Sequence, residues 1–301
     1  LRLNWRMEKA FWASETLVDQ AFGSKVFRVS IDGIRDDEEG PQIDLAKNVL
    51  PNLGDRVILL TDNVVPASPQ SDRMLVAIEL QDSSMIVKAI EKEAAVDFAV
   101  TRIDDVSGVP VWEVTPGSES ADADDDFFED LLFEDPVEEE QPPLLDRWAV
   151  AVVPASEDLG ASFLVCSSHI ELLTQVVTRM RTGQGEAMMD EPIVRQLLET
   201  SRKLSPKDLA MQRLVLLNRT LRTKYELMRR GEWKDSDSIL SSLFRRLLDE
   251  TDGELEVERP DLNKWPVFES ISKYLGVATS YVETTDQGWE LNGFLMRSTD
   301  L

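Results

Sequence analysis

Residues 119–140 contain twelve acidic side chains and no basic one, and this run limits how the chain can fold. Charges of one sign at this density repel each other and keep a segment extended, because no opposite charge offsets the repulsion. The run cannot therefore be part of a packed core. It interrupts a series of predicted strands, and we predict a disordered acidic loop over residues 118–143.

The rest of the composition fits a folded protein with an acidic surface. Apolar residues make up 42% of the 301 residues, which is enough to bury a sizeable core. The formal net charge of −25 opposes binding to nucleic acid and to anionic lipid, so we expect neither as a partner. No apolar run approaches the roughly 18 residues that a membrane span needs.

The chain has one cysteine, Cys166, and one histidine, His169. These counts exclude an intramolecular disulfide, a multi-cysteine metal site and most zinc hydrolase designs. The two residues are three positions apart, at the end of an apolar strand and the start of a helix. We interpret them as a buried thiol and a first-turn helix residue, and we predict no catalytic residue and no cofactor.

Apolar residues at helical spacing predict helices at the beginning of the chain. One covers residues 5–22, and a second carries Phe27, Ile31 and Ile34. A short third helix ends at Gly54. We therefore predict an N-terminal helical segment over residues 1–54.

Beyond residue 54, β-rich runs alternate with helical patterns, and the order strand, loop, strand, helix occurs twice. Asp82 is predicted to cap the first of the two helices and Ser168 the second. The predicted strands cover residues 56–61, 74–80, 97–103, 110–115, 148–154 and 162–168.

The last third of the chain is predicted to be mostly helical, with a closing hairpin around Asp286-Gln287-Gly288. The predicted helices cover residues 190–204, Ser205-Pro206 to Gly231, 236–249 and 261–275. Short links between strands favour an α+β domain over residues 55–301, in which a mainly antiparallel sheet carries helices on one face. The last helices form a helical insertion before the C-terminal hairpin.

Asp122, Asp124 and Asp126 imitate the first three ligand positions of an EF-hand calcium loop. Phe127 stands where that loop requires glycine, and Phe133 stands where it requires a bidentate glutamate. The pattern leaves a weak, diffuse cation site as the only metal hypothesis, and a low-affinity calcium-responsive protein as one functional alternative.

The same acidic run contains an apolar group that could recognise a protein partner. Phe127, Phe128, Leu131 and Leu132 would form one stripe if the segment became helical on a basic, apolar groove. A structureless loop is the competing interpretation. The groove could also be internal, because the helix predicted over 207–230 carries the cations Arg213, Arg219, Arg222, Lys224, Arg229 and Arg230.

Seven tryptophans raise the question of a sugar-binding platform. Trp112, Trp148 and Trp289 lie on predicted strands among apolar residues, so we interpret them as core residues. A hydrolase built on two carboxylates, for example one directed at glycans, is a second functional alternative. With 57 acidic residues in the chain, no pair stands out.

Several phrases together resemble a family of exported planctomycete proteins of unknown function, related to a broader group of bacterial domains of unknown function. The resemblance runs from about residue 5 to the end of the chain. It rests on GPQIDLAKNVLPNLGDRVILLTD (40–62), SDRMLVAIEL (71–80), VPVWEVTP (109–116), TKYELMRRGEWKDSDSILSSLFRRLL (223–248) and WELNGFLMR (289–297).

The resemblance implies an export signal or anchor ahead of this segment, and hence a periplasmic or envelope location. The opening LRLNWRMEKAFW has no apolar signal-peptide core, and we interpret the chain as trimmed or processed. The resemblance supplies no catalytic residue. Taken together, the sequence favours a non-enzymatic binding or scaffolding protein of the cell envelope.

Overall fold

The computed structural model describes residues 1–22, 25–38, 40–68, 70–115, 147–184, 188–204, 209–230 and 264–296. The acidic loop predicted over 118–143 and the helix predicted over 236–249 lie outside these residues. Contacts divide the chain into two compact units. Unit 1 consists of Leu1–Asn4, Ile58–Leu75 and Gly185–Leu301, and unit 2 of Trp5–Val57 and Val76–Gln184.

Unit 2 contains the N-terminal helices and strands that pack with two further helices. Its helices are α1 (Met7–Phe22), α2 (Val26–Asp36), α3 (Ser83–Val96) and α4 (Ile170–Thr182). Its complete strands are β4 (Val100–Val106), β5 (Val109–Val114), β6 (Trp148–Val153) and β7 (Ser162–Ser167). Two longer strands, β2 (Leu53–Asn63) and β3 (Asp72–Leu80), are divided between the units, because the unit boundaries fall within them.

The core of unit 2 is centred on strand β6. Residues 149 to 153 are all buried, so both faces of this strand are covered. Helix α3 contributes to one of these faces, where Ile86 packs against Leu80 and Val152. Asp82 begins this helix as predicted, since its carboxylate accepts a hydrogen bond from the Ser84 amide at 2.9 Å.

Unit 1 contains the rest of the strands and a second set of helices. Its strands are β1 (Arg2–Asn4), β8 (Met211–Leu216), β9 (Val277–Thr285) and β10 (Gly288–Met296). Its helices are α5 (Pro192–Leu204), α6 (Leu217–Arg230) and α7 (Phe268–Ser272). Buried Leu197 and Leu227 place one side of α5 and one side of α6 in the interior of this unit.

The strands follow one another in the order β10-β9-β8-β1-β2-β3-β7-β6-β5-β4. The pairs β10/β9, β9/β8, β8/β1, β7/β6, β6/β5 and β5/β4 are antiparallel. The prediction of an α+β fold with a mainly antiparallel sheet is confirmed. So is the closing hairpin, which is formed by β9 and β10.

Three local predictions are wrong. Residues 211–216 form strand β8 and not the middle of a long helix, because β9 and β1 pair with them on either side. His169 and not Ser168 is the N-cap of α4. Helix α7 covers only Phe268–Ser272 of the helix predicted over 261–275.

Gly54 allows β2 and β3 to approach each other closely in unit 2. A Cβ atom at this position would lie 2.8 Å from Cγ and 3.1 Å from the carbonyl oxygen of Glu79. We expect Gly54→Ala to lower the free energy of unfolding by about 1–3 kcal/mol, because the backbone of β3 would have to move. Urea unfolding followed by circular dichroism measures this change.

Gly33→Ala in helix α2 is the matched control, because a Cβ atom there meets nothing within 4 Å. We expect this variant to be stabilised by about 0.5–1 kcal/mol, since alanine favours the helix. Equal changes in the two variants would contradict the role assigned to Gly54.

Candidate binding surface on strand β10

The tryptophans on strands have very different surroundings. Trp112 on β5 is only 2% exposed, as expected of a core residue. Trp289 on β10 is 85% exposed, so its interpretation as a core residue is wrong. Trp148 is half-buried. Trp289 belongs to an exposed apolar surface on β10, which is the most unusual surface among the described residues.

Three large apolar side chains lie on the same side of β10. Trp289, Leu291 and Leu295 are separated by even numbers of residues, and alternate residues of a strand point to one face. Leu291 is 68% exposed and Leu295 is 62% exposed. An edge strand therefore presents an apolar stripe to solvent.

The register of the neighbouring strands extends this stripe into a surface. Leu291 pairs with Val282 of β9, which in turn pairs with Met211 of β8. Leu295 pairs in the same way with Ala278 of β9, which pairs with Val215 of β8. Directly paired residues share a face of the sheet, so the apolar members of the β10 face include Trp289, Leu291, Leu295, Ala278, Val282, Met211 and Val215.

Among the described residues, helices cover the opposite side of this part of the sheet and not the β10 face. On β9, Val277, Thr279 and Tyr281 are buried, whereas the alternating residues on the β10 face are half-buried or exposed. Helices α5 and α6 both pack on β9. A sheet covered by helices on one side usually turns a polar side to water, and the β10 face departs from this rule.

Arg213 brings a positive charge to the β10 face. It pairs with Ser280, which pairs with Gly293, so it lies in the row between the two aliphatic rows. Its side chain is exposed, and its charge helps to lower the pKa of the Leu1 amino group, after the larger effect of burial. An apolar surface with an arginine near its middle has the composition of a protein-binding surface.

Two other strongly exposed aromatic residues lie outside the strands. Phe98 and Tyr274 are both strongly exposed, and each lies in a turn or at the end of a helix. Single exposed residues of this kind are common on protein surfaces and indicate no function. The β10 face differs because its members are contiguous.

Unit 2 has a small cleft of about 140 Å³ beside Trp12. Arg28, Arg35 and Lys47 line it, and each forms an ion pair with a carboxylate, with N–O distances of 2.7–2.8 Å. A hydrogen bond from Arg28 lowers the pKa of Glu15. The cleft is smaller than the roughly 300 Å³ at which ligand pockets begin. The three cations that line it are already paired with carboxylates of the chain.

Cys166 and His169 do not form an activated thiol. Burial raises the pKa of the Cys166 thiol to about 12, which suppresses the reactive thiolate. The Ser168 hydroxyl lies 2.9 Å from Nδ1 of His169, within hydrogen-bonding distance. Cys166 is half-buried, so it is less enclosed than the buried thiol predicted from the sequence, and His169 is the N-cap of α4 and not a residue of its first turn.

The site residues predicted in the acidic run lie outside the described part of the chain. They are Asp122, Asp124 and Asp126 for the cation site, and Phe127, Phe128, Leu131 and Leu132 for the partner stripe. Within the described ranges, no group of three or more His, Cys, Asp and Glu side chains could hold a metal ion. No helix in those ranges is both long enough and apolar enough to cross a membrane.

Cations of the helix predicted over 207–230 bind groups within unit 1. Arg219 lies 2.8 Å from Glu191, and Arg222 lies 2.8 Å from Glu269. Arg229 and Arg230 donate hydrogen bonds to backbone carbonyls. These contacts hold α6 to its neighbours in the unit.

Sequence reasoning missed the β10 face, although it placed the hairpin correctly. The phrase GWELNGFLM has large apolar residues at both alternating sets of positions, so the pattern alone does not indicate which side is open.

Comparison with known proteins adds no relative: no family model matches the chain, and neither does any curated protein or solved structure.

Proposed function

We propose that the protein is a non-enzymatic binding protein of the cell envelope, which holds a partner protein against the β10 face. The partner we expect presents an apolar surface that accepts Trp289 and a carboxylate that pairs with Arg213. Binding is the function that this surface supports, because the described residues of the β10 face offer a partner apolar area and the charge of Arg213.

The contiguous exposure of Trp289, Leu291 and Leu295 carries this proposal. Leaving large apolar side chains in water costs free energy that a bound partner would recover. Tryptophan and arginine are also the residue types that most often dominate the energetics of protein interfaces. The envelope location rests on the resemblance to exported proteins.

A photo-crosslinking amino acid in place of Leu291 tests the proposal. Irradiation of cells that make this variant should give discrete adducts with another protein. Adding Trp289→Ser should reduce these adducts by at least tenfold, because truncating an interface tryptophan costs about 2 kcal/mol or more.

The control carries the same crosslinker at Tyr274, whose 73% exposure is close to the 68% of Leu291. We expect no matching adducts from this position. The same adducts from both positions, or adducts that do not respond to Trp289→Ser, would overturn the proposal.

A further inference from the structure

Strand β10 ends the strand order, and its outer edge has no neighbouring strand among the described residues. It pairs with β9 over nine consecutive positions without a shift in register. A strand of this length at the edge of a sheet offers a regular row of backbone donors and acceptors to another strand.

The strand at the other end of the order is protected against such pairing. Strand β4 carries Arg102, Asp104 and Asp105, and its register shifts between Ile103 and Val106. Charged side chains and bulges are the usual means by which edge strands avoid association. β10 has no proline, no lysine and no shift, and its one charged residue is Glu290.

We propose that a second copy of this chain pairs with the outer edge of β10 in antiparallel orientation, with the two-fold axis at Asn292. Asn292 is the middle residue of Gly288–Met296, so this register pairs all nine residues of each copy. A two-fold axis makes the same strand serve both sides of the interface.

This register matches the side chains of the two copies. Trp289 lies opposite Leu295 of the second copy, and Leu291 lies opposite its Gly293. Glu290 lies opposite Phe294 of the second copy, so the two Glu290 carboxylates are about 13 Å apart along the strands, at about 3.4 Å per residue. Trp289 therefore meets an apolar residue of the second copy, and the acidic residues stay apart.

Gly293 fits this arrangement on both sides of β10. Toward β9, a Cβ atom would lie 2.9 Å from the carbonyl oxygen of Thr279, so a side chain is excluded. Toward the second copy, the missing side chain leaves space for Leu291. One glycine thus serves the contact inside the chain and the contact between chains.

Charge directs association to this strand. A net charge of −25 opposes contact between two copies over most of the surface. β10 combines a single acidic residue with a long apolar stripe. Edge pairing buries less than the roughly 800 Å² per partner of a standard interface, so we expect a reversible dimer that salt strengthens.

Pairing would also place the β10 faces of the two copies side by side, because paired residues share a face of the sheet. The role of this combined surface rests on the proposed function, because the two β10 faces together would then hold the partner protein. The pairing itself is tested on the purified chain alone, so the two proposals can fail separately.

Charge variants at Asn292 test the two-fold axis. Its side chain lies on the opposite side of β10 from Trp289, so these changes leave the β10 face intact. Asn292→Lys and Asn292→Glu each place two like charges against each other at the axis. Sedimentation velocity at about 0.15–0.3 M salt, where charges are screened beyond about 8 Å, measures the dimer over a range of concentrations.

We expect the unaltered chain to dimerise and each variant alone to dimerise at least tenfold more weakly. An equal mixture of the two variants should restore the dimer, because the opposite charges then attract. A monomeric unaltered chain at high concentration, or a mixture that dimerises no better than either variant, would overturn the proposal. Circular dichroism confirms that each variant is folded.

Discussion

Replacing Trp112 by alanine should lower the free energy of unfolding by about 3–5 kcal/mol, the range for removing a large buried aromatic side chain. Trp112 lies on β5 between β4 and β6, and its neighbours Val109 and Val111 are also fully buried. No solvent reaches the space that the indole ring would leave. A change of this size is a large part of the roughly 5–15 kcal/mol that stabilises a typical domain.

Trp289→Ala is the matched control, because it removes the same side chain from an exposed position. We expect a change of less than about 0.5 kcal/mol, the usual limit for surface substitutions. Urea unfolding followed by circular dichroism compares the two variants without depending on tryptophan fluorescence. Similar losses in both variants would contradict the contrast between the two environments.

Cys166 in the folded protein should react with iodoacetamide about 10- to 100-fold more slowly than an ordinary thiol. Its pKa is raised from 9.0 to about 12 because burial disfavours the thiolate. Each pKa unit is a tenfold change in thiolate at lower pH, and the greater nucleophilicity of a thiolate with a raised pKa offsets about half of that change. The raised pKa also means that burial of the neutral thiol favours the folded state below pH 9. This contribution is lost as the pH rises from about 9 to about 12.

Rates of alkylation between pH 7 and pH 9 test this prediction, in buffer and in concentrated guanidinium chloride. A Cys166→Ala chain with Tyr274→Cys supplies an exposed thiol in the same fold for comparison. The expected result is a slow reaction of Cys166 only while the chain is folded. Equal rates for the two thiols in buffer would show that Cys166 is accessible and ionises normally.

Local signals in the sequence were sufficient for most of unit 2. Helix α3 begins at Asp82, where an acidic residue precedes a helical apolar pattern, and its hydrogen bond to Ser84 follows from the same chemistry. The strands β6 and β7 are short apolar runs bounded by turns. In these cases neighbouring residues alone determine the structure, so a sequence pattern can predict it.

Strand β8 shows where such reasoning fails. Leu214, Leu217 and Leu221 have a spacing that suits one face of a helix, and the residues around them favour helices. The chain nevertheless forms a strand up to Leu216, because β9 and β1 offer backbone hydrogen bonds on both sides. Both neighbours are distant in the sequence, so no local pattern contains this information.

The exposure of the β10 face could not be predicted from the sequence for a related reason. Trp112 and Trp289 both lie on apolar strands, and the difference between them is whether another layer covers their side of the sheet. Alternation of residues defines two sides of a strand but does not say which side is open. The predicted N-cap of α4 was wrong by one residue, because the helix starts one residue later than a cap at Ser168 would require.

The interleaved order of the two units has a consequence for the time course of synthesis. All of unit 2 has been made when the ribosome reaches Gln184, whereas strand β1, which precedes unit 2 in the sequence, belongs to unit 1. Asn4 hydrogen-bonds to Leu209, which is 205 residues later. At about 5–20 residues per second, β1 waits about 10–40 seconds for β8. One edge of β1 can pair early with β2, which follows it closely in the sequence, whereas its other edge lacks a partner strand until β8 is made, after all of unit 2.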